Sequence, residues 1–286
     1  MLIEFLLKLP QNRVLSKIIK ELLNYAKEDY FKTRNGFSIY FKKEGLLATA
    51  IRKNVITGQY ESQETEVIKG LLKPGDWVID GGAHEGYISL FMAKVVGEEG
   101  KVLSIEPNRE NLNYLLKNIK INNLKNIVVV NKAISDKKEK IPFYFNLQQG
   151  AWGSTQKFSY FKSQREVMVD ADNLDNISLL ENAFKRVDLC KIDIEGNELK
   201  AFKGMQRIIS EYKPHLIFEV SLTFWAYSND SVDSLLNFLQ ERDYKIFMIK
   251  AGELQPYSWF DSRIDNLVAI HDSKIDGLRS NIFNAE

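Results

Sequence analysis

Asp80-Gly81-Gly82-Ala83-His84-Glu85-Gly86 stands directly after the apolar run Trp77-Val78-Ile79 and directly before a helical pattern carrying Ile88, Phe91, Met92, Val95 and Val96. A buried strand that turns through glycines into a helix brings backbone amides close to whatever sits at the turn. Exposed N–H groups at a helix start attract carboxylate or phosphate oxygens. An ordinary strand-to-helix connection carries the same glycines, so the turn alone leaves its ligand open.

Downstream, strand and helix patterns alternate. Lys101–Ile105 reads as a second strand, and Leu112, Leu115, Leu116 and Ile119 mark a helix. Ile127–Val130 reads as a third strand. Strands separated by helices of this length imply parallel pairing through right-handed crossovers, hence a doubly wound α/β sheet. The rhythm breaks between Lys140 and Ala171, where Ile141–Phe145 and Glu166–Val169 read as an inserted hairpin whose loop holds Trp152. Regular order resumes with a helix over Leu174–Phe184, a strand over Asp188–Ile194 and a helix over Glu198–Tyr212. Then come a strand over Leu216–Val220 and a helix over Val232–Arg242. The strands Lys245–Met248 and Leu267–Ile270 lack a crossover helix, which implies an antiparallel edge.

Upstream, residues 1–60 read as an extension to a main domain of residues 61–286. Val14–Ala26 has the spacing of a one-sided helix, and Phe37–Phe41 alternates like a strand after a turn at Asn35-Gly36. A helix over Glu64–Leu72 stops at Lys73-Pro74-Gly75. Met1–Leu9 is apolar but interrupted by Glu4 and Lys8. It is too short to span a bilayer, and it reads as an amphipathic helix that docks on the domain, a partner or a membrane surface.

The chain has 286 residues, 44% apolar and 12% aromatic, as expected of a globular protein. With 39 basic and 38 acidic residues its formal charge is +1, which provides no broad attraction to a phosphate backbone and makes nucleic acid an unfavoured partner. The lone Cys190 excludes an intrachain disulfide, lies in an apolar run and suits a reducing, cytoplasmic setting. No transmembrane segment is expected. The sequence leaves open whether the extension forms a homodimer.

Ligands of open α/β sheets bind outside the carboxyl ends of the strands. Asp80, Glu106, Asn131, Asp193 and Glu219 each follow or close an apolar strand. A dinucleotide site prefers Gly-x-Gly-x-x-Gly, and Ala83 and His84 break that spacing. Asp-x-Gly-x-x-x-Gly places an acid where it would repel a pyrophosphate but favour an ammonium or sulfonium group. S-adenosylmethionine carries both cations. Glu106 closes the second strand at about the distance beyond the turn, roughly 20 residues, at which nucleotide-binding folds place a ribose-holding acid.

Val78 to Tyr87, Ser104-Ile105-Glu106-Pro107-Asn108, Asn131 to Asp136, Leu174-Asp175 and Lys191-Ile192-Asp193-Ile194-Glu195-Gly196-Asn197-Glu198 together resemble the FkbM family of methyltransferases. Phe202-Lys203-Gly204 and Phe218-Glu219 extend the resemblance, which runs over roughly residues 58–222; His84 departs from it, since the family more often has asparagine there. The resemblance implies a Rossmann-like sheet of seven mostly parallel strands with one antiparallel strand. It also implies transfer of a methyl group from S-adenosylmethionine to a hydroxyl of a sugar, glycolipid or natural product. Asp80, Gly82 and Gly86 would surround the methionine portion, with Gly81, Ala83, His84 and Tyr87 beside them. Glu106 would hold the ribose, flanked by Pro107 and Asn108. Asn131, Ala133 and Ile134 would approach the adenine, and Glu61 and Asp193 would complete the cofactor set.

An alcohol is a poor nucleophile, so a base or a metal is expected. Glu195, Asp193 and His84 are the candidate catalytic groups, while Asp193 with Glu219 could instead bind a divalent cation. Glu195 or Glu198 could equally cap the following helix. His215 begins its strand and belongs to the opposite sheet end; nothing distinguishes His271. Trp152, Trp225 and Tyr227 lie in loops near functional ends, where aromatic rings stack on sugars or fill a local core. Two rival functions stand beside this one. The absence of an Asn/Asp-Pro-Pro-Tyr/Phe block argues against base amino methylation but leaves RNA ribose methylation. A non-catalytic module binding the cofactor or a partner is the other.

Overall fold

The computed structural model describes residues 30–40, 54, 55, 57–146, 153–158, 164–180, 185–228, 230–257, 264–278 and 282. The expected Met1–Leu9 and Val14–Ala26 helices, Trp152 and the end of the Leu174–Phe184 helix lie outside these residues. Among the described residues no helix is long and apolar enough to cross a membrane.

The described residues open with β1 (Tyr30–Lys32) and β2 (Ser38–Tyr40), an antiparallel pair around the Asn35-Gly36 turn, and α1 (Ser62–Leu71) comes after them. Three strands and their crossover helices come next: β3 (Trp77–Gly81), α2 (Tyr87–Val96), β4 (Lys101–Ile105), α3 (Arg109–Ile121) and β5 (Ile127–Val130). The pairs β3–β4 and β4–β5 are parallel. Further on, β10 (Leu189–Ile192) lies parallel to β3 on its other side, and β11 (His215–Ser221) lies parallel to β10. Strand order therefore reverses between β3 and β10, the place where such sheets bind ligands. Neighbouring residues of one strand divide between two cores: Ile79 and Cys190 pack on one face, Val78 and Leu189 on the other. Burial on both faces explains why these strands read as unbroken apolar runs.

The remaining described helices are α4 (Leu174–Leu180), α5 (Glu198–Lys203), α6 (Gln206–Tyr212), α7 (Leu222–Trp225), α8 (Val232–Gln240) and α9 (Asp272–Ile275). The single helix expected over Glu198–Tyr212 is two, broken at Gly204. A side chain on Gly204 would meet the Ser135 carbonyl oxygen at 2.4 Å, so this break lets another segment pack against the backbone.

The sheet departs from the expected seven strands with one reversed. It has eight described strands, because β12 (Tyr244–Lys250) turns back as β13 (Glu253–Pro256) through Ala251-Gly252. Both turn residues have positive φ, 54° and 82°, the geometry of a tight two-residue hairpin. Alanine rarely adopts that conformation, so the turn carried no sequence signal. Nor is the reversed strand β14 (Ile264–His271) an edge. It lies between β11 and β12, antiparallel to both, and β13 is a second reversed strand at the margin.

The insertion is larger than a hairpin. β7 (Glu139–Asn146) and β9 (Gln164–Asp172) pair antiparallel as expected, and β6 (Ala133–Ile134) and β8 (Gly153–Ser154) complete a separate four-stranded sheet.

Candidate active site

The turn after β3 is shaped by contacts that no other residue at position 82 would allow. Gly82 has φ +84°, and an added Cβ would lie 1.9 Å from the Asp193 carbonyl oxygen. The ends of β3 and β10 therefore meet backbone to backbone. Gly82 and Ala83 donate their N–H groups to the Ile105 carbonyl, and the His84 N–H donates to Glu106 Oε2 at 2.8 Å. His84 itself has φ +52°. Histidine, like asparagine, tolerates this left-handed region.

Glu106 is buried, and its other oxygen accepts from the Asn108 N–H at 2.8 Å and from Asn111 Nδ2 at 3.3 Å. Asn131 Nδ2 donates to the carbonyls of Glu106 and Pro107 and so pins the backbone behind that carboxylate. Asp80 is buried against α2, where Ser89 Oγ donates to its Oδ2 and Ser104 Oγ donates in turn to Ser89. Burial raises the Asp80 carboxyl above its ordinary value, and Lys191 works against that.

The Asp193-Ile194-Glu195-Gly196 turn after β10 holds Glu195 at φ +59°, a strained conformation for a glutamate. Glu198 keeps the turn in place: its Oε1 accepts from the N–H groups of Ile194 and Gly196. Burial pushes the Glu198 carboxyl up to about 8 despite these bonds. The helix-capping role considered for Glu195 or Glu198 is filled by neither: Asn197 is the N-cap of α5, with no side-chain cap bond, and Glu198 instead holds the turn that precedes the helix. Glu195 Oε2 is buried and has no hydrogen-bond partner among the described residues.

Asp193, Glu195 and Glu219 bring one carboxylate oxygen each within 4.8 Å of one another. Burial first, then the neighbouring Asp193 and Glu198, push Glu219 up to about 9; burial and Glu219 hold Glu195 well above the usual carboxylate range. Lys191 faces the group. Lys191 Nζ lies 2.8 Å from Asp193 Oδ2, and although burial opposes its charge, Asp193, Asp80 and Glu61 hold the ammonium above its ordinary value.

A cavity of about 220 Å³ opens at these strand ends. Of the residues expected in the site, Glu61, Gly82, His84, Glu106, Pro107, Ala133, Ile134, Asp193, Glu195 and Glu219 line it. Asp80, Gly81, Ala83, Gly86, Tyr87, Asn108 and Asn131 do not. Tyr87 packs edge-on against Phe37 and Tyr60 and accepts a hydrogen bond from Asn35, which joins the β1–β2 hairpin to α2. Of the described extension, Tyr60 lines the cavity, beside Glu61. His215 lies at the opposite sheet end with its pKa lowered by burial to about 4, and His271 caps α9 by accepting from the Ser273 N–H. Trp225 belongs to the core.

The Methyltransferase FkbM domain model matches residues 80–246, more than half of the chain. This chain belongs to the FkbM methyltransferase family. The matched span begins at Asp80 and includes the insertion and the Asp193–Glu198 block. A second model, that of Protein-L-isoaspartate(D-aspartate) O-methyltransferase, matches residues 4–137, under half of the chain. No curated protein matches. The FkbM methyltransferase of Methylobacillus flagellatus KT is similar over 79% of this chain and 54% of its own length, at 23% identity and a TM-score of 0.48. This FkbM chain thus spans about half of that structure. A Streptococcus mutans structure in complex with SAH is similar at 10% identity over 72% of this chain and 94% of its own, TM-score 0.44. An rRNA methylase of Streptococcus thermophilus is similar at 9% identity over 73% and 95%, TM-score 0.44. Family membership rests on the matched model rather than on these distant likenesses.

Several cavity residues of this FkbM domain were not anticipated. Lys132 reaches in from beside Asn131 and pairs with Asp172 at 2.9 Å. Phe143 and Thr155 come from the insertion, and Asn111 and Asn197 from helix starts. The insertion docks on the Glu195 turn: Ser154 Oγ donates to the Glu195 carbonyl at 3.4 Å and Gln156 Nε2 to the Gly196 carbonyl at 3.1 Å. Its position in the sequence, interrupting a regular α/β rhythm, was the only signal of these contacts.

Proposed function

We propose that this FkbM-family chain is an S-adenosylmethionine-dependent O-methyltransferase acting on a hydroxyl of a sugar, glycolipid or natural product. The observation that carries this reading is the concentration of Glu61, Glu106, Asp193, Glu195 and Glu219 around one cavity at the switch point of the sheet. Burial and mutual repulsion hold Glu195 and Glu219 raised, a strain that a ligand with ammonium and sulfonium charges would relieve and a phosphate would worsen. When bound, S-adenosylmethionine supplies a methyl group already activated by its sulfonium.

The residues present fit that ligand. Gly82 lets the ends of β3 and β10 close together at the cavity floor, Glu106 would hold the ribose, and Ala133 and Ile134 provide an apolar wall for the adenine. Asp193 and Glu61 offer negative charge to the methionine end. Asp80 and Asn131 support these groups. Glu195 accepts the proton of the acceptor hydroxyl at its unpartnered oxygen, and the strained turn held by Glu198 fixes where that oxygen stands.

Ribose methylation of RNA is disfavoured by the same acidic wall, because it would bring phosphates against carboxylates. The second reading that an observation favours is a divalent cation held by Asp193, Glu195 and Glu219, whose oxygens are close enough to share one. Lys191 already neutralises Asp193, which argues for the metal-free base. Transfer of tritiated methyl groups to a panel of methyl glycosides, with and without EDTA, tests both. Transfer that survives EDTA and is lost in Glu195→Gln supports the base. Loss with EDTA and recovery with Mg²⁺ supports the cation, and no transfer to any acceptor favours a non-catalytic module.

A further inference from the structure

A second cavity, of about 260 Å³, lies between the insertion sheet, α5 and the loop after α7. It shares Ile134, Thr155 and Asn197 with the first cavity, so the two adjoin across one wall. Asn197 is only 6% exposed, and its Nδ2 has no hydrogen-bond partner among the described residues. Gln156, on the same cavity, donates through Nε2 to the Gly196 carbonyl and leaves a buried, unpartnered Oε1.

Burying a polar atom without a partner costs roughly 1–3 kcal/mol, and such atoms concentrate where a ligand completes them. Here one orphan is a donor and the other an acceptor. A hydroxyl group satisfies both, accepting from Asn197 and donating to Gln156; a carbonyl or a phosphate satisfies only the donor. The rest of the wall agrees. Ser135 and Ser228 add hydroxyls, Tyr227 adds a ring, and Glu139 and Lys200 bring one charge of each sign. Nothing in this wall selects a charged ligand.

We propose that this second cavity is the acceptor subsite, that it takes a neutral polyhydroxylated ring, and that Asn197 and Gln156 together grip one hydroxyl of it. The proposal rests on the methyltransferase reading above and adds where the acceptor sits. Gln156 ties the grip to the Glu195-Gly196 turn, so a hydroxyl held there places the neighbouring part of the ring toward Glu195. Of these two cavities Gln156 lines the second and not the first, which separates its effect from that of the donor site.

The test uses the full chain. Calorimetric titration with S-adenosylhomocysteine comes first, followed by saturation-transfer NMR of the loaded protein with methyl glycosides of glucose, mannose and rhamnose, and with cyclohexanol as a singly hydroxylated ring. The expected result is binding of at least one glycoside in preference to cyclohexanol. Gln156→Met should weaken that binding at least about tenfold, the loss of roughly one hydrogen bond, while leaving S-adenosylhomocysteine affinity within about threefold. The isosteric Asn197→Asp, which turns the donor into an acceptor, should weaken it likewise. If loaded wild-type protein binds no glycoside, or if both variants bind as wild type does, the subsite is overturned while the donor reading stands. If wild-type protein fails to bind S-adenosylhomocysteine, the donor reading itself falls and the subsite with it.

Discussion

The backbone N–H of His84 donates to Glu106 Oε2 at 2.8 Å, tying the glycine turn after β3 to the acid that closes β4. The other Glu106 oxygen accepts from the Asn108 N–H, so both oxygens face donors. An amide cannot replace this carboxylate, because one of its two ends would set N–H against N–H. Glu106→Gln should therefore cost about 1–3 kcal/mol of stability and weaken S-adenosylhomocysteine binding at least about tenfold. Chemical denaturation and calorimetry on the same protein check both effects.

Gly82→Ala should be worse tolerated than its size implies. Its methyl group would overlap the Asp193 carbonyl oxygen, and β3 and β10 would have to separate at the cavity floor. A loss of at least about 2 kcal/mol is expected, together with loss of the thermal stabilisation that S-adenosylhomocysteine confers on the wild type. A variant that melts and binds like the wild type would count against the backbone approach described for this turn.

Glu198 gives a pH-dependent prediction. Its folded-state carboxyl is raised to about 8, above its value in the unfolded chain, so the folded state binds the extra proton between those limits. Stability from this group is present at low pH and is lost as pH rises toward about 8. Glu198→Gln keeps an acceptor for the Ile194 and Gly196 N–H groups and removes the titration. Melting temperatures of variant and wild type should lie close together at about pH 5, and the variant should gain on the wild type as pH rises to about 8. Parallel curves would contradict the assignment.

Glu195→Gln should lower methyl transfer by about 10²–10⁴-fold while changing S-adenosylhomocysteine affinity by less than about threefold, since the loss falls on proton removal. In the wild type, kcat/KM should rise as pH increases above neutrality, because burial and mutual repulsion hold the Glu195 and Glu219 carboxyls well above the usual range. EDTA should leave the rate unchanged. A rate that collapses with EDTA and returns with Mg²⁺ would move the account to the cation reading.

The sequence showed most clearly what depends on local pattern. The β3 turn, the acids at the ends of β4 and β10 and the buried Cys190 were legible because apolar runs and strand-end polarity are short-range signals. What was not legible depends on partners far away along the chain. The Ala251-Gly252 hairpin uses an alanine in a conformation its identity argues against. The insertion's contribution through Phe143, Thr155 and Gln156 appears only once its sheet is docked on the Glu195 turn. Asp80, the acid that first pointed to a cationic ligand, is turned to Ser89 and does not line the cavity, a preference that adjacent residues could not reveal.

The central claim is that the cavity at the β3–β10 switch point holds the methyl donor. Calorimetric titration with S-adenosylhomocysteine of the wild type, Glu106→Ala and His215→Ala tests it most directly. The account predicts saturable single-site binding to the wild type, unchanged in His215→Ala at the opposite end of the sheet and at least about tenfold weaker in Glu106→Ala. Absence of binding to the wild type, or equal binding by all three, would contradict it.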